Sequence, residues 1–234
     1  AAWEAYKEHN ALRSEAFRLW RQEGSGLYLG LMDDSLVLCS PKKATVSGED
    51  REELFTFLPV CGARRILCPS SLGAQLGIPA ALLGKILQRE KTEGRGGEVS
   101  AFRNMEEELP SLRDIYALLL ECRSESFRPP DFEPFYLDFS HRLRHGVAFA
   151  AVVYQEGKLA AVAMAPAVTE EIALLSGVAV APSYRRRGYG TQAVEKLLEK
   201  LPSRSFCVFR AEGENEAFYT SLGFREIGAF MEIS

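Results

Sequence analysis

The stretch "SYRRRGYGTQAVEKLLEKL", residues 183–201, sets three consecutive arginines against two glycines one residue apart and then turns into helix-forming sequence. Such a turn can hold an anion. The first N–H groups of a helix have no intrahelical partner, and together with the helix dipole they form a site for phosphate oxygens. Gly188 and Gly190 remove two Cβ atoms and permit positive φ, so that successive N–H groups of the turn can face one anion. Ala193, Val194, Leu197, Leu198 and Leu201 recur at helical spacing, which anchors the helix on a core and fixes its N-terminus. The P-loop pattern G-x-x-x-x-G-K-[ST] is absent and the turn lacks the third glycine of G-x-G-x-x-G, so neither a nucleotide triphosphatase nor a dinucleotide fold is indicated. A solvated arginine-rich loop ahead of an amphipathic helix is the competing reading of the turn taken alone.

The anion site is a local feature of an acidic chain. With 234 residues, 47% hydrophobic and 26% charged, and a net charge of −4, the composition is that of a soluble globular protein. It is not that of a nucleic-acid binder, whose affinity rests on many Lys and Arg contacts to phosphate. The longest apolar runs, such as "VAFAAVVY" at 147–154, have strand length, so neither a membrane span nor a membrane partner is expected. The N-terminus lacks a basic region followed by an apolar one, and the cytoplasm is the expected location. Five cysteines show no C-x-x-C spacing and sit mostly in apolar runs, which reads as buried free thiols with no metal site.

The elements that must position the turn belong to a mixed α/β (α+β) arrangement. The segment "REKTEGRGGE" (89–98) has the composition of a linker, which divides the chain into a smaller α/β domain at 1–97 and a second domain at 98–234. In the second, periodicity predicts a strand at 98–104, helices at 110–123 and 133–144, and strands at 147–154 and 158–168 joined by a hairpin at "QEGK". A strand at 171–181, the helix of the turn, a strand at 205–211, a short helix at 214–222 ended by Gly223, and a last strand at 224–233 complete it. The first domain reads as a helix over 2–23, three strands at 26–32, 35–40 and 43–47, a helix at 49–60, a strand at 64–69 and a short helix. The shared order suggests either a diverged, truncated copy of the second domain's core or an unrelated α/β cap.

With its flanks, "GVAVAPSYRRRGYGTQAVEKLL" (177–198) resembles the GNAT family of acyl-CoA-dependent N-acyltransferases, and "NEAFYTSLGF" (215–224) resembles that family's late helix followed by L-G-F. The resemblance covers about residues 98–234, and the element order there agrees with the family's mixed sheet flanked by helices. It implies acetyl-CoA as cosubstrate and no metal. It makes Val178, Ala179 and Val180 the backbone partners of the pantetheine arm, with Gly177 at the bulge that parts two strands. Arg185, Gly188 and Gly190 match the pyrophosphate motif, so Arg186, Arg187, Gly188, Tyr189, Gly190 and Thr191 form the pyrophosphate loop. Tyr219 becomes the candidate general acid and Asn215 a candidate cofactor contact, standing four residues before the tyrosine where the family often has an asparagine seven before it.

Acyl transfer from a thioester to an amine needs a neutral nucleophile, a stabilised oxyanion and a proton for the departing thiolate. An amine of pKa about 10.4 is neutral in only about one part in 10³ at pH 7, a handicap of about 4 to 5 kcal/mol. The family's frequent mid-strand glutamate is missing, since Ala173, Leu174 and Leu175 occupy that stretch. Glu171 lies about 10 Å too early along the strand. No general base is assigned. The expected activity is transfer of an acyl group to a primary amine of a small molecule or peptide, and the alternative is an acyl-CoA-binding sensor without turnover. The loop at 124–134 is expected to line the acceptor site. In the N-terminal half, "VSGEDREELF" (46–55) caps its helix with Ser47 and puts carboxylates in the first turns, so no second coenzyme A site is expected there.

Overall fold

The computed structural model describes residues 17–32, 35–40, 45–91, 111–124 and 127–233. The strand expected at 98–104, the domain boundary near 97 and residues 2–16 of the N-terminal helix lie outside them. The elements of the N-terminal half are β1 (Phe17–Arg21), β2 (Tyr28–Met32), β3 (Ser35–Cys39), α1 (Gly48–Cys61), β4 (Arg65–Pro69), α2 (Ser70–Leu76) and β5 (Leu82–Arg89). After them come α3 (Leu112–Glu121), α4 (Phe132–Arg144), β6 (Phe149–Gln155), β7 (Lys158–Val168), β8 (Ile172–Val180), a 3-10 turn (Pro182–Tyr184), α5 (Tyr189–Lys200), β9 (Ser205–Ala211), α6 (Glu216–Ser221) and β10 (Arg225–Ile233). No described helix is long and apolar enough to cross a membrane.

Three departures from expectation stand in the N-terminal half, the first being β5, which periodicity does not predict. Residues 17–21, read as the end of a helix, form β1, which pairs antiparallel with β2 from Phe17↔Met32 to Arg21↔Tyr28. Trp20 packs edge-on against Phe57 of α1 at 5.1 Å, and the Arg18 guanidinium donates to the Cys61 carbonyl at 2.9 Å. Alternate residues of β1 therefore meet α1, a period of two that tertiary pairing imposes on a segment with helical propensity. Residues 45–47, part of an expected strand, form no strand.

The chain divides into two compact units, neither contiguous in sequence. Of the described residues, one comprises 88–91, 111–124, 127–208 and 217–225, and the other 17–32, 35–40, 45–87, 209–216 and 226–233. The second unit builds its sheet in the order β1-β2-β3-β4-β10-β5. Its core joins Leu29, Leu31, Leu36 and Leu38 to Leu54 of α1, to Leu72 and Leu76 of α2, and to Met231 and Ile233 of β10. The last strand of the chain thus belongs to the unit otherwise built by the N-terminal half, pairing antiparallel with β4 from Phe230↔Pro69 to Ile233↔Ile66.

In the first unit the sheet runs β9-β8-β7-β6, with β8 and β9 parallel and the other pairs antiparallel. Both faces of β7 are covered, so its sequence is nearly continuous in apolar residues. Val162 and Met164 face Ile115, Leu119 and Phe139 of α3 and α4. Ala161, Ala163 and Ala165, all fully buried, lie on the alternate face, where small side chains admit α5 closely through Ala193, Val194 and Leu197. The β6–β7 hairpin closes at Glu156 (φ 52°) and Gly157 (φ 74°), the two positive-φ residues of a tight primed turn.

Candidate active site

The strand β8 delivers the chain to the arginine turn through Pro182–Tyr184, and Arg185 anchors the turn by donating from Nε to the Val180 carbonyl at 3.2 Å. Arg186 (φ 62°) and Gly188 (φ 82°) then both adopt left-handed conformations. The first bond of α5 runs from the Gln192 N–H to the Gly188 carbonyl at 3.0 Å, so the N–H groups of Tyr189, Gly190 and Thr191 precede the intrahelical ladder. No side chain caps this helix and its first turn carries no carboxylate. Such a terminus favours negative charge, and Arg186 and Arg187, just before it in the chain, are exposed.

The two glycines serve different purposes. A Cβ on Gly188 would meet nothing within 4 Å, so its glycine answers to the positive φ and leaves open space before the helix. Gly190 is buried and helical, and a Cβ there would stand 3.1 Å from Val180 Cγ2 and 3.6 Å from Phe218 Cε2. Its role is close packing of α5 against β8 and Phe218, so the positive φ expected of it falls instead on Arg186. Tyr189 is likewise committed: its hydroxyl donates to Gln155 Oε1 at 3.1 Å, and its ring meets Tyr184 edge-on at 5.8 Å.

Beside the turn, β8 and β9 part. Their ladder holds only Ile172↔Ser205, Ala173↔Phe206 and Leu174↔Cys207, which leaves residues 175–180 with no β9 partner. On the β7 side, the register moves from Val162↔Ala179 to Met164↔Ser176, two residues on β7 against three on β8, which is the bulge expected at Gly177. Gly177 has φ 62°, and a Cβ there would collide with the Met164 methyl. Because the Ala181 N–H donates to Ala160 on the β7 side, alternation turns the peptide groups of Val178 and Val180 to the parted edge and those of Ala179 to β7. The Val180 carbonyl already accepts from Cys122 Sγ at 3.2 Å as well as from Arg185, so Val178 is the residue of the three whose backbone groups are open along that edge.

Tyr219 lies on α6, half-buried, with its ring edge-on to Phe218 at 5.1 Å and to Phe224 at 5.7 Å. Phe218 touches the Gly190 position, so α6 abuts the first turn of α5. Asn215, in the exposed turn ahead of α6, adopts φ 50°. Glu171 precedes β8 and is exposed, while Ser176 stands exposed in mid-strand, so the strand brings no carboxylate to the place of the parting. Burial pushes the thiols of Cys39 and Cys207 up and that of Cys68 to about 11. Among the described residues no group of His, Cys, Asp and Glu could hold a metal ion. Gln155, Cys122 and Phe218 are contacts of the site that sequence spacing does not single out, because each reaches it from an element remote in the chain.

Residues 112–224 match the sequence model of the acetyltransferase (GNAT) family. The ribosomal protein bS18-alanine N-acetyltransferases of Escherichia coli K12 and Shigella flexneri are 38% identical over 77 residues, 31% of this chain and 51% of theirs. The chain thus spans about half the length of the curated relatives it matches. Among solved structures, a GCN5-related N-acetyltransferase from Kribbella flavida superposes with a TM-score of 0.59 at 16% identity, over 99% of this chain and 94% of that one. A tandem GNAT protein from the clavulanic acid biosynthesis pathway gives 0.55 at 15% identity, over 93% and 82%. These likenesses are of fold. The parted strands, the bulge and the uncapped glycine turn all lie within residues 112–224, the stretch that matches the GNAT acetyltransferase family.

Proposed function

We propose that the chain is an acetyl-CoA-dependent N-acetyltransferase that transfers the acyl group to a primary amine by direct attack on the thioester. The observation that carries the reading is the uncapped, carboxylate-free N-terminus of α5 standing beside the parted edge of β8. Those residues fit the cosubstrate: the N–H groups of Tyr189, Gly190 and Thr191 with Arg186 and Arg187 would hold the pyrophosphate, and the Val178 peptide would pair with the pantetheine arm. Acetyl-CoA supplies the acyl carbon already activated as a thioester. The chain's own part is to align that carbon and to hold a proton at Tyr219 Oη for the leaving thiolate. Asn215 is assigned as a further cofactor contact.

The acceptor is a small-molecule or peptide amine. The bS18-alanine acetyltransferases named above act, by their name, on an alanine of a ribosomal protein, which makes peptides with a free N-terminal amine the first acceptors to test. Incubation with acetyl-CoA and a panel of peptides, amino acids and polyamines, read by mass spectrometry and by release of free thiol, tests the activity. One specific observation favours a second reading, an acyl-CoA sensor: β8 carries Ala173, Leu174 and Leu175 where a base would stand. Binding of acetyl-CoA with no product across the panel would select it.

A further inference from the structure

A groove of about 410 Å³ lies between α3 and α4, lined by the N-cap Ser111 and Arg113 of the first and Tyr136, Ser140, Leu143 and Arg144 of the second. It is separate from the acetyltransferase site. Cys122 at the far end of α3 is the residue that reaches Val180, and eleven residues at 1.5 Å each put Ser111 about 16 Å away along the axis. The volume is that of a small-molecule pocket.

Among the described residues, both guanidinium groups of the groove are held in place without a carboxylate. Arg113 lies over two aromatic faces, 5.7 Å from the centre of Phe132 and 6.0 Å from that of Tyr136, and those rings are ordered in turn by Tyr116, 5.0 Å from Phe132. Attraction to the two rings leaves the N–H groups of the guanidinium to bond an acceptor. Arg144 is clipped to Ser140, with Nε to the carbonyl at 3.1 Å and Nη2 to Oγ at 3.1 Å, which leaves Nη1 unengaged. Arg142 pairs with Asp138 on the same helix, and among the described residues Asp114 and Glu133, the acidic groups of the first turns, bridge to neither arginine. Positioned positive charge over an apolar wall of Tyr136 and Leu143 is complementary to an anion carried on an apolar body.

We infer that this groove is a second ligand site, which takes a small amphipathic anion, a phosphate or carboxylate borne on an aromatic or aliphatic group. Arg113 and Arg144 bind the oxyanion and the Tyr136–Leu143 wall receives the apolar part. The inference is independent of acetyl transfer and is tested without it.

Phenyl phosphate is the probe, titrated into ¹⁵N-labelled full-length protein, with amide shifts reporting where it binds. Saturable shifts at 111–114 and 136–144 are expected, weakened several-fold when salt rises past the point where the screening length falls below about 8 Å. Phenol should give no saturation at these positions, and inorganic phosphate should bind more weakly than the ester. The double variant Arg113→Gln, Arg144→Gln keeps amide donors but removes both charges, and it should lower affinity by about tenfold or more while distant amides stay unmoved. Shifts confined to 186–191, or full affinity in a folded double variant, would overturn the site. Equal affinity for phenyl phosphate and inorganic phosphate would overturn its apolar half.

Discussion

A carboxylate placed in the first turn of α5 separates binding from stability. Negative charge at a helix N-terminus favours the helix through its dipole, whereas a bound pyrophosphate would meet like charge at the same N–H groups. Thr191→Glu should therefore keep or raise the melting temperature and weaken acetyl-CoA by about tenfold or more, and calorimetry showing unchanged affinity would remove the turn from the cosubstrate site. Gly190 is the wrong position for this test, because its Cβ would press on Val180 and Phe218 and confuse packing with binding. The acid role of Tyr219 is tested by Tyr219→Phe, which preserves the edge-on contacts with Phe218 and Phe224. Turnover should fall by roughly ten- to a thousandfold with acetyl-CoA affinity intact, and wild-type turnover would leave the tyrosine a packing role. The residue types and spacing of the turn are legible in the sequence because its backbone chemistry is local. The division of labour between Gly188 and Gly190, and the engagement of the Val180 carbonyl by Cys122, are not, since they depend on Phe218, 28 residues from Gly190, and on Cys122, 58 residues from Val180.

At the scale of elements, the same order of three strands, helix, strand, helix and strand runs from β1 to β5 and again from β6 to β10. The pairings repeat too: antiparallel, antiparallel, then parallel for β1–β2, β2–β3 and β3–β4, and likewise for β6–β7, β7–β8 and β8–β9. We read the N-terminal half as a diverged copy of the same core, and its helix α1 occupies the place of α5. The two N-termini differ in chemistry. Ser47 and Asp50 close α1 reciprocally, Oγ accepting from the Asp50 N–H at 3.1 Å and Oδ2 from the Ser47 N–H at 3.0 Å. Bonds from the Ser47 hydroxyl and N–H hold the Asp50 carboxyl below the usual carboxylate range, so at neutral pH a full negative charge sits where an anion would dock. Titration should give one acetyl-CoA per chain; a stoichiometry of two, with the second site lost on mutating residues 47–50, would contradict this. The cap motif "SGED" is legible because capping is local, whereas β1 and β5 are not. "FRLWR" has helix-forming residues and becomes a strand only beside β2, and β5 runs into a charged, glycine-rich segment that masks its end while its own Gly84 is required by the ring of Phe230.

The whole molecule is organised by the destination of its last strand. Tyr219 and the L-G-F that ends α6 belong to the unit of residues 88–208 and 217–225, yet the strand that follows, β10, belongs to the other, where it lies between β4 and β5. Met231 and Ile233 are nearly buried in the core of β2, β3, α1 and α2, and Gly73 of α2 has no room for a Cβ because Met231 occupies its place. Burial of such side chains contributes about 1.5 to 3 kcal/mol each, against a net stability that for domains is only about 5 to 15 kcal/mol. Residues 92–234 alone would keep the family motifs and lose β4, β5 and the core that receives β10, leaving an apolar strand with unpaired edges. That fragment should be insoluble or unfold without a cooperative transition, and co-expression with residues 1–91 should restore both solubility and acetyl-CoA binding. The point variant Ile233→Ala, which leaves every residue of the turn in place, should cost the full chain about 2 to 5 kcal/mol in denaturant unfolding. A fragment of 92–234 that melts cooperatively near the temperature of the full chain and binds acetyl-CoA as tightly would show that the N-terminal half is an appendage, and that the shared strand is dispensable to the site.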